Sequence, residues 1–250
     1  MQAFLTLTRR ELAGFFVSFT GYIIIAAAVF QMGLSFVILL NNLNGEPTPM
    51  PVTEIFYVTA FFWLILLLSA PVITMRLFAL ERHTGTFETL MTAPVGDLQV
   101  VLAKFFAALI FYMIMWLPLL GCIFIVQRFT HEQAGFDLGT AGSTYLGIFL
   151  VGCLYMALGC FASALTRSQI IAAMISLIIG VTFFLLSFLS EQINLGNGWG
   201  AQALGYIAMR EHMRDFSRGI IDTRYVVFYL SLTIFFLFLT HRVVESRRWK

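Results

Sequence analysis

Lysine occurs only twice in the 250 residues, as Lys104 and Lys250. A phosphate-binding loop of the form G-x-x-x-x-G-K-[ST] needs a lysine followed by Ser or Thr. Phe105 follows Lys104 and no Ser or Thr follows Lys250, so the sequence carries no ATP site of that kind. Any ATP the protein depends on is bound by another chain. Charge of either sign is scarce: 11% of residues are charged and 60% are hydrophobic, with 27 phenylalanines. Soluble domains run at about 25% charged. That excludes an ordinary water-soluble domain, and the high hydrophobicity excludes disorder. A net charge of +2 is too small for a nucleic-acid-binding surface. The three cysteines, Cys122, Cys153 and Cys160, lie in apolar stretches and read as small buried hydrophobes rather than a disulfide framework.

What remains is a polytopic membrane protein of a single domain, 1–250. A bilayer core about 30 Å thick needs about 20 mostly apolar residues per helix. Six stretches meet this, near 20–40, 55–75, 105–127, 143–165, 169–189 and 225–241. The expected fold is all-α, with six transmembrane helices. Their interiors hold no Asp, Glu, Lys or Arg, which argues against a proton-coupled carrier or a paired-acid intramembrane protease. No H-E-x-x-H or G-x-S-x-G occurs, and the four histidines are scattered, so no metal or serine-nucleophile site is expected.

Six spans put both termini on one side. Ten of the 15 basic residues fall there and eight of the 13 acids fall opposite, so the termini are expected in the cytoplasm. Residues 2–19 read as an interfacial helix. Phe4, Leu5, Leu12, Phe15, Phe16 and Phe19 share one face, opposite Thr6, Arg9, Arg10 and Ala13. External loops are expected at 41–54, 128–142 and 190–224. The last has a glycine-rich start (Gly196, Gly198, Gly200), and Ala201 to Met213 is amphipathic enough for a short hairpin dipping into the membrane. Aromatic and Met residues on spans one, two and five, including Phe30, Met32, Phe36, Phe61, Phe62, Trp63 and Phe183, can line an apolar path or simply pack.

The loop over 76–96 carries the most information. It contains Glu81, Arg82, His83, Thr84, Gly85, Thr86, Phe87, Glu88, Leu90, Met91 and Pro94. Thr84 can cap a short amphipathic helix whose apolar residues Phe87, Leu90 and Met91 need lipid or a partner, and Pro94 stops it. A solvated loop on the headgroups fits these residues equally well.

The run E-R-H-T-G-T-F-E-T-L-M-T-A-P-V, followed by Asp97 and Lys104, resembles the segment between spans two and three of ABC-2-type transporter permeases. Glu81, Gly85, Thr86, Glu88, Leu90, Pro94, Val95 and Lys104 match its pattern. His212, Phe216, Arg218, Gly219 and Asp222 resemble the H-F-x-x-F-x-R-G-x-x-D segment before the last span, with Met213 in place of Phe. The likeness is closest to gliding-motility-associated and copper-enzyme-maturation permeases.

The resemblance implies a permease subunit with no catalysis of its own. A separate ABC ATPase subunit would hold Mg-ATP, and a second permease chain would complete the unit. An extracytoplasmic auxiliary subunit is a further possible partner, and a bacterial inner membrane is the implied home. The 76–96 loop would be a cytoplasmic coupling helix. Glu81, Arg82 and Glu88 would make charged contacts to the ATPase, with Gly85 as the turn and Phe87 and Leu90 as anchors. His212, Phe216, Arg218, Gly219 and Asp222 would form an extracytoplasmic gate or an interfacial turn. The substrate would be lipid-like or otherwise hydrophobic. The alternative is a membrane scaffold that couples the ATPase to mechanical or assembly work.

Overall fold

The structure is a computed structural model and describes residues 2–43, 60–86, 96–129, 138–192 and 205–246. All regular structure among these residues is helical, and six helices are long and apolar enough to cross a membrane. They are Phe19–Ile38, Ala60–Thr84, Asp97–Ile125, Gly139–Leu165, Gln169–Ser190 and Thr223–Ser246, taken here as spans one to six. Shorter helices, Gln2–Val17 and Met209–Ser217, precede spans one and six.

Span four is the axis of the bundle. Of its apolar window 83% is buried, against 28% for span one and 22% for spans five and six. Its sequence explains this placement. It is apolar all round and studded with small residues, which let neighbouring backbones close in. A Cβ on Gly152 would clash with the Tyr112 ring of span three, sitting 2.7 Å from its Cδ1. One on Gly159 would sit 2.5 Å from the Thr74 Cβ of span two. One on Gly147 would sit 3.0 Å from Met213 and Phe216 of the short helix before span six.

Proline shapes spans two and three. Pro118 has no N–H to offer the Ile114 carbonyl, so the Leu117 N–H takes it in a tighter bond of 3.2 Å. The span thus divides into helices Asp97–Trp116 and Pro118–Phe129. The Tyr145 hydroxyl donates to the Trp116 carbonyl at 3.0 Å and ties the break to span four. Span two contains Pro71 and leaves regular helix after Thr74. A turn over 75–78 follows, then a short helix, Ala79–Thr84.

Several expectations need correction. Span three begins at Asp97 rather than 105, so Lys104 is the eighth residue of a helix and 0% exposed, not a residue ahead of the span. An apolar-run criterion cannot see a charged residue whose partners come from other helices. Thr84 is the last residue of the short helix Ala79–Thr84, and its hydroxyl donates back to the Leu80 carbonyl at 3.0 Å; the helix it is expected to cap, with Phe87, Leu90 and Met91, lies outside the described residues. The N-terminal helix packs on span three through Phe4, Leu7, Leu12, Phe15 and Phe16, with Phe15 stacked on Phe111 at 4.8 Å. Leu5 is exposed, and Phe19, expected on the same helix, opens the next one after the bend at Ser18 and is exposed as well. Glu11, half-buried, lies at the edge of the packed side. Met32, Phe62 and Trp63 pack inside the bundle rather than line a path, whereas Phe30 is exposed. The amphipathic helix before span six runs over Met209–Ser217 instead of ending at Met213. Residues 44–59, 87–95, 130–137 and 193–204, which hold Phe87, Glu88, Leu90 and most of the expected loops, lie outside the described residues.

Candidate functional site

Two polar clusters sit at opposite ends of the bundle. The first gathers where span two ends, around Lys104. Its ammonium lies 2.8 Å from Glu81 Oε1 and 3.2 Å from Glu11 Oε1. It also stands 5.4 Å from the centre of the Phe78 ring. Three separate elements therefore meet on one cation: the N-terminal helix, the short helix after span two, and span three. Removing such an ion from water costs several kcal/mol, and only close counter-charges offset it. Both carboxylates are largely buried, with side-chain exposures of 15% and 12%. Glu81 Oε2 is buried and accepts no hydrogen bond from the described residues.

Ser163 of span four organises the turn that carries Glu81. Its hydroxyl accepts from the Phe78 N–H at 3.0 Å and the Ala79 N–H at 3.1 Å, and donates to the Met75 carbonyl at 3.1 Å. These are backbone groups at the start of a short helix, where no intrahelical partner exists. Arg82 caps the facing end of span four, donating to the carbonyls of Ala164 and Thr166. Of the three charged residues expected to reach a partner, Glu81 and Arg82 are thus engaged within the chain, and Glu88 lies outside the described residues. His83, Thr84, Gly85 and Thr86 are exposed. Gly85 has φ 74°, a left-handed conformation that lets the chain leave the helix without a Cβ clash.

Arg76 links the same region to the N-terminal hinge. It donates to Ser18 Oγ at 2.7 Å and Thr20 Oγ1 at 3.1 Å. A cavity of about 110 Å³ lies alongside, lined by Glu11, Gly14, Phe15, Arg76, Leu77 and Leu80.

The second cluster surrounds His212. Helix Met209–Ser217 buries Met209, His212, Met213, Phe216 and Ser217, the i, i+3, i+4, i+7, i+8 stripe of a helix with one apolar face. The His212 ring stacks on Tyr225 at 3.9 Å, and its Nδ1 lies 3.3 Å from the Tyr229 hydroxyl. Burial lowers its pKa from 6.5 to about 4, although Asp215 nearby acts the other way. The Tyr225 hydroxyl donates to Asp215 Oδ2 at 2.7 Å. Ser143 of span four donates to the Phe216 carbonyl at 2.7 Å, and Ser187 of span five accepts from the Arg210 N–H at 3.0 Å.

The chain then turns. The Ile220 N–H bonds the Asp215 carbonyl at 2.9 Å and the Gly219 N–H bonds that of Phe216 at 3.2 Å, with Gly219 at φ 86°. This is a Schellman ending, which needs a residue free of Cβ at that position. Asp222 Oδ1 accepts from the Arg224 N–H at 2.8 Å and caps span six. Arg218 closes the helix at an exposed position. The geometry of Arg218, Gly219 and Asp222 is that of a turn between two helices.

Sequence reasoning did not single out Glu11, Ser163, Tyr225 or Tyr229. Ser163 sits between Ala162 and Ala164 with no local signal. Its role exists only because the turn over 75–78 packs against it.

Residues 40–209 match the model of the ABC-2 family transporter proteins. That is well over half the chain, and the protein belongs to this family: it is a multi-pass membrane permease subunit of an ABC-2-type transporter. Such permease domains carry no catalytic activity of their own and generally pair with ATPase subunits. The match does not reach the N-terminal helix or His212 to Asp222, and it gives no sign of the gliding-motility-associated branch. No match is found among the curated proteins.

Proposed function

We propose that the chain pairs with a second permease chain and with a separate ATPase, docked on the loop over 76–96, that drives a lipid-like or other hydrophobic substrate across the membrane. One observation supports this most. The turn that leads into the loop is tied by Ser163, Arg82 and Glu81 to spans three and four, yet His83 to Thr86, which follow it, are exposed. A lever needs that combination: a firm root and an accessible segment beyond it. With Glu81 and Arg82 bound at the root, contact with the ATPase falls to Phe87, Glu88 and Leu90. An apolar substrate suits the uncovered faces of spans one and five, where Tyr22, Phe30, Ile178 and Phe188 are exposed. In this reading the termini and the loop face the cytoplasm, and Mg-ATP sits on the partner.

The test is purification of the tagged protein in mild detergent, with mass spectrometry of what accompanies it. An ATPase subunit at equal stoichiometry is the expected result. Phe87→Ala or Glu88→Ala should then reduce its recovery while membrane insertion stays intact. Unchanged recovery in both variants would remove the docking role from this loop.

A further inference from the structure

Glu11 is placed between two cations. It pairs with Lys104 at 3.2 Å, the longer of the two contacts that Lys104 makes. It also lines, with Arg76, the cavity of about 110 Å³ between the N-terminal helix and the end of span two. Arg76 itself is held in this state by two hydroxyls, of Ser18 and Thr20. Neutral hydroxyls are weaker partners for a guanidinium than a carboxylate, which can accept two parallel bonds from it. Lys104, for its part, keeps Glu81 at 2.8 Å if Glu11 leaves. So Glu11 can transfer without stranding a buried charge at either place, and the cavity supplies room for the movement.

We propose that Glu11 is a positioning residue in a charge exchange. It holds Lys104 in the state seen here and Arg76 in the state produced when the docked ATPase closes. The exchange slides the N-terminal helix along span three toward span two. It makes the two states discrete, because a position between the cations leaves Glu11 without a close charged partner. This rests on the reading that an ATPase docks on the 76–96 loop.

The experiment uses the complex recovered with its ATPase in lipid nanodiscs. Cys122, Cys153 and Cys160 are replaced by Ala. Spin labels are placed at the exposed positions Ala13→Cys and His83→Cys. Distances between them are measured by pulsed electron resonance without nucleotide and with ATP and vanadate. The parent should shift between two distances. Arg76→Met should keep the nucleotide-free distance and lose the shift, while Arg76→Lys, which retains the charge, should restore it. The double variant Ser18→Ala/Thr20→Val removes the present partners of Arg76 but not its charge, and should still shift. Glu11→Gln should give one broad distribution that ignores nucleotide. A normal shift in Arg76→Met, or a loss in Ser18→Ala/Thr20→Val equal to that in Arg76→Met, overturns the exchange. Recovery of the ATPase reports separately on the docking reading. If no ATPase is recovered, that reading fails and the exchange falls with it.

Discussion

Ser163→Ala is the sharpest test of how the end of span two is held. The substitution removes one oxygen. It leaves the Phe78 and Ala79 N–H groups and the Met75 carbonyl without the partner they now share, at 3.0, 3.1 and 3.1 Å. All of this lies in a site where Ser163 is 0% exposed, so water cannot replace the hydroxyl without displacing packed neighbours. A buried donor or acceptor left unsatisfied costs about 1–3 kcal/mol. Partial relaxation of the turn will recover some of this, so a net loss of about 3 kcal/mol is expected for the three together. At about 2–4 °C per kcal/mol for a chain of this size, that is a fall of about 6–12 °C in Tm. The buried thiols of Cys153 and Cys160 serve as reporters, since they react with a fluorogenic maleimide only once the bundle opens. The control is Ser231→Ala, where an exposed hydroxyl bonds the carbonyl three residues back in its own helix and no second helix is involved. A fall for Ser163→Ala no larger than for Ser231→Ala would refute the claim that one hydroxyl anchors the turn.

Two further outcomes follow from the geometry. Gly159→Ala places a Cβ 2.5 Å from the Thr74 Cβ and 2.7 Å from its Cγ2, and should cost about 1–3 kcal/mol by overpacking. Adding Thr74→Ala should return part of that loss in a double-mutant cycle on Tm. His212 titrates at about 4 when folded and 6.5 otherwise, so the unfolded chain takes up its proton first as pH falls. Its contribution is complete above pH 6.5 and declines below it, by about 2 kcal/mol between pH 7 and 5. The Tm difference between parent and His212→Gln should shrink over that interval, and a difference independent of pH would contradict a neutral buried imidazole.

The elements differ in how legible they were. Span number and approximate limits follow from apolar runs, because the bilayer demands a fixed length of apolar helix whatever the neighbours are. Boundaries slipped where another rule ruled. Span three starts at Asp97 because helices do not end where hydropathy does. Lys104 sits two turns inside because carboxylates from elsewhere reach it. Thr84 closes a short helix that hydropathy did not mark off, since Gly85 at φ 74° terminates it there. The motif drew attention to Glu81 and Lys104 but not to their pairing with each other or with Glu11, which is remote in sequence from both.

By itself, then, the sequence determined class, span count and the want of a nucleotide loop within these 250 residues. These are local or additive properties, readable from composition and periodicity. The tertiary structure alone decided which charges meet. Lys104 is tolerable inside the bundle only because Glu11 and Glu81 converge on it, and the turn after span two is firm only because Ser163 faces it. Burial makes a polar group depend on partners supplied by other helices, and no window along a single helix contains them.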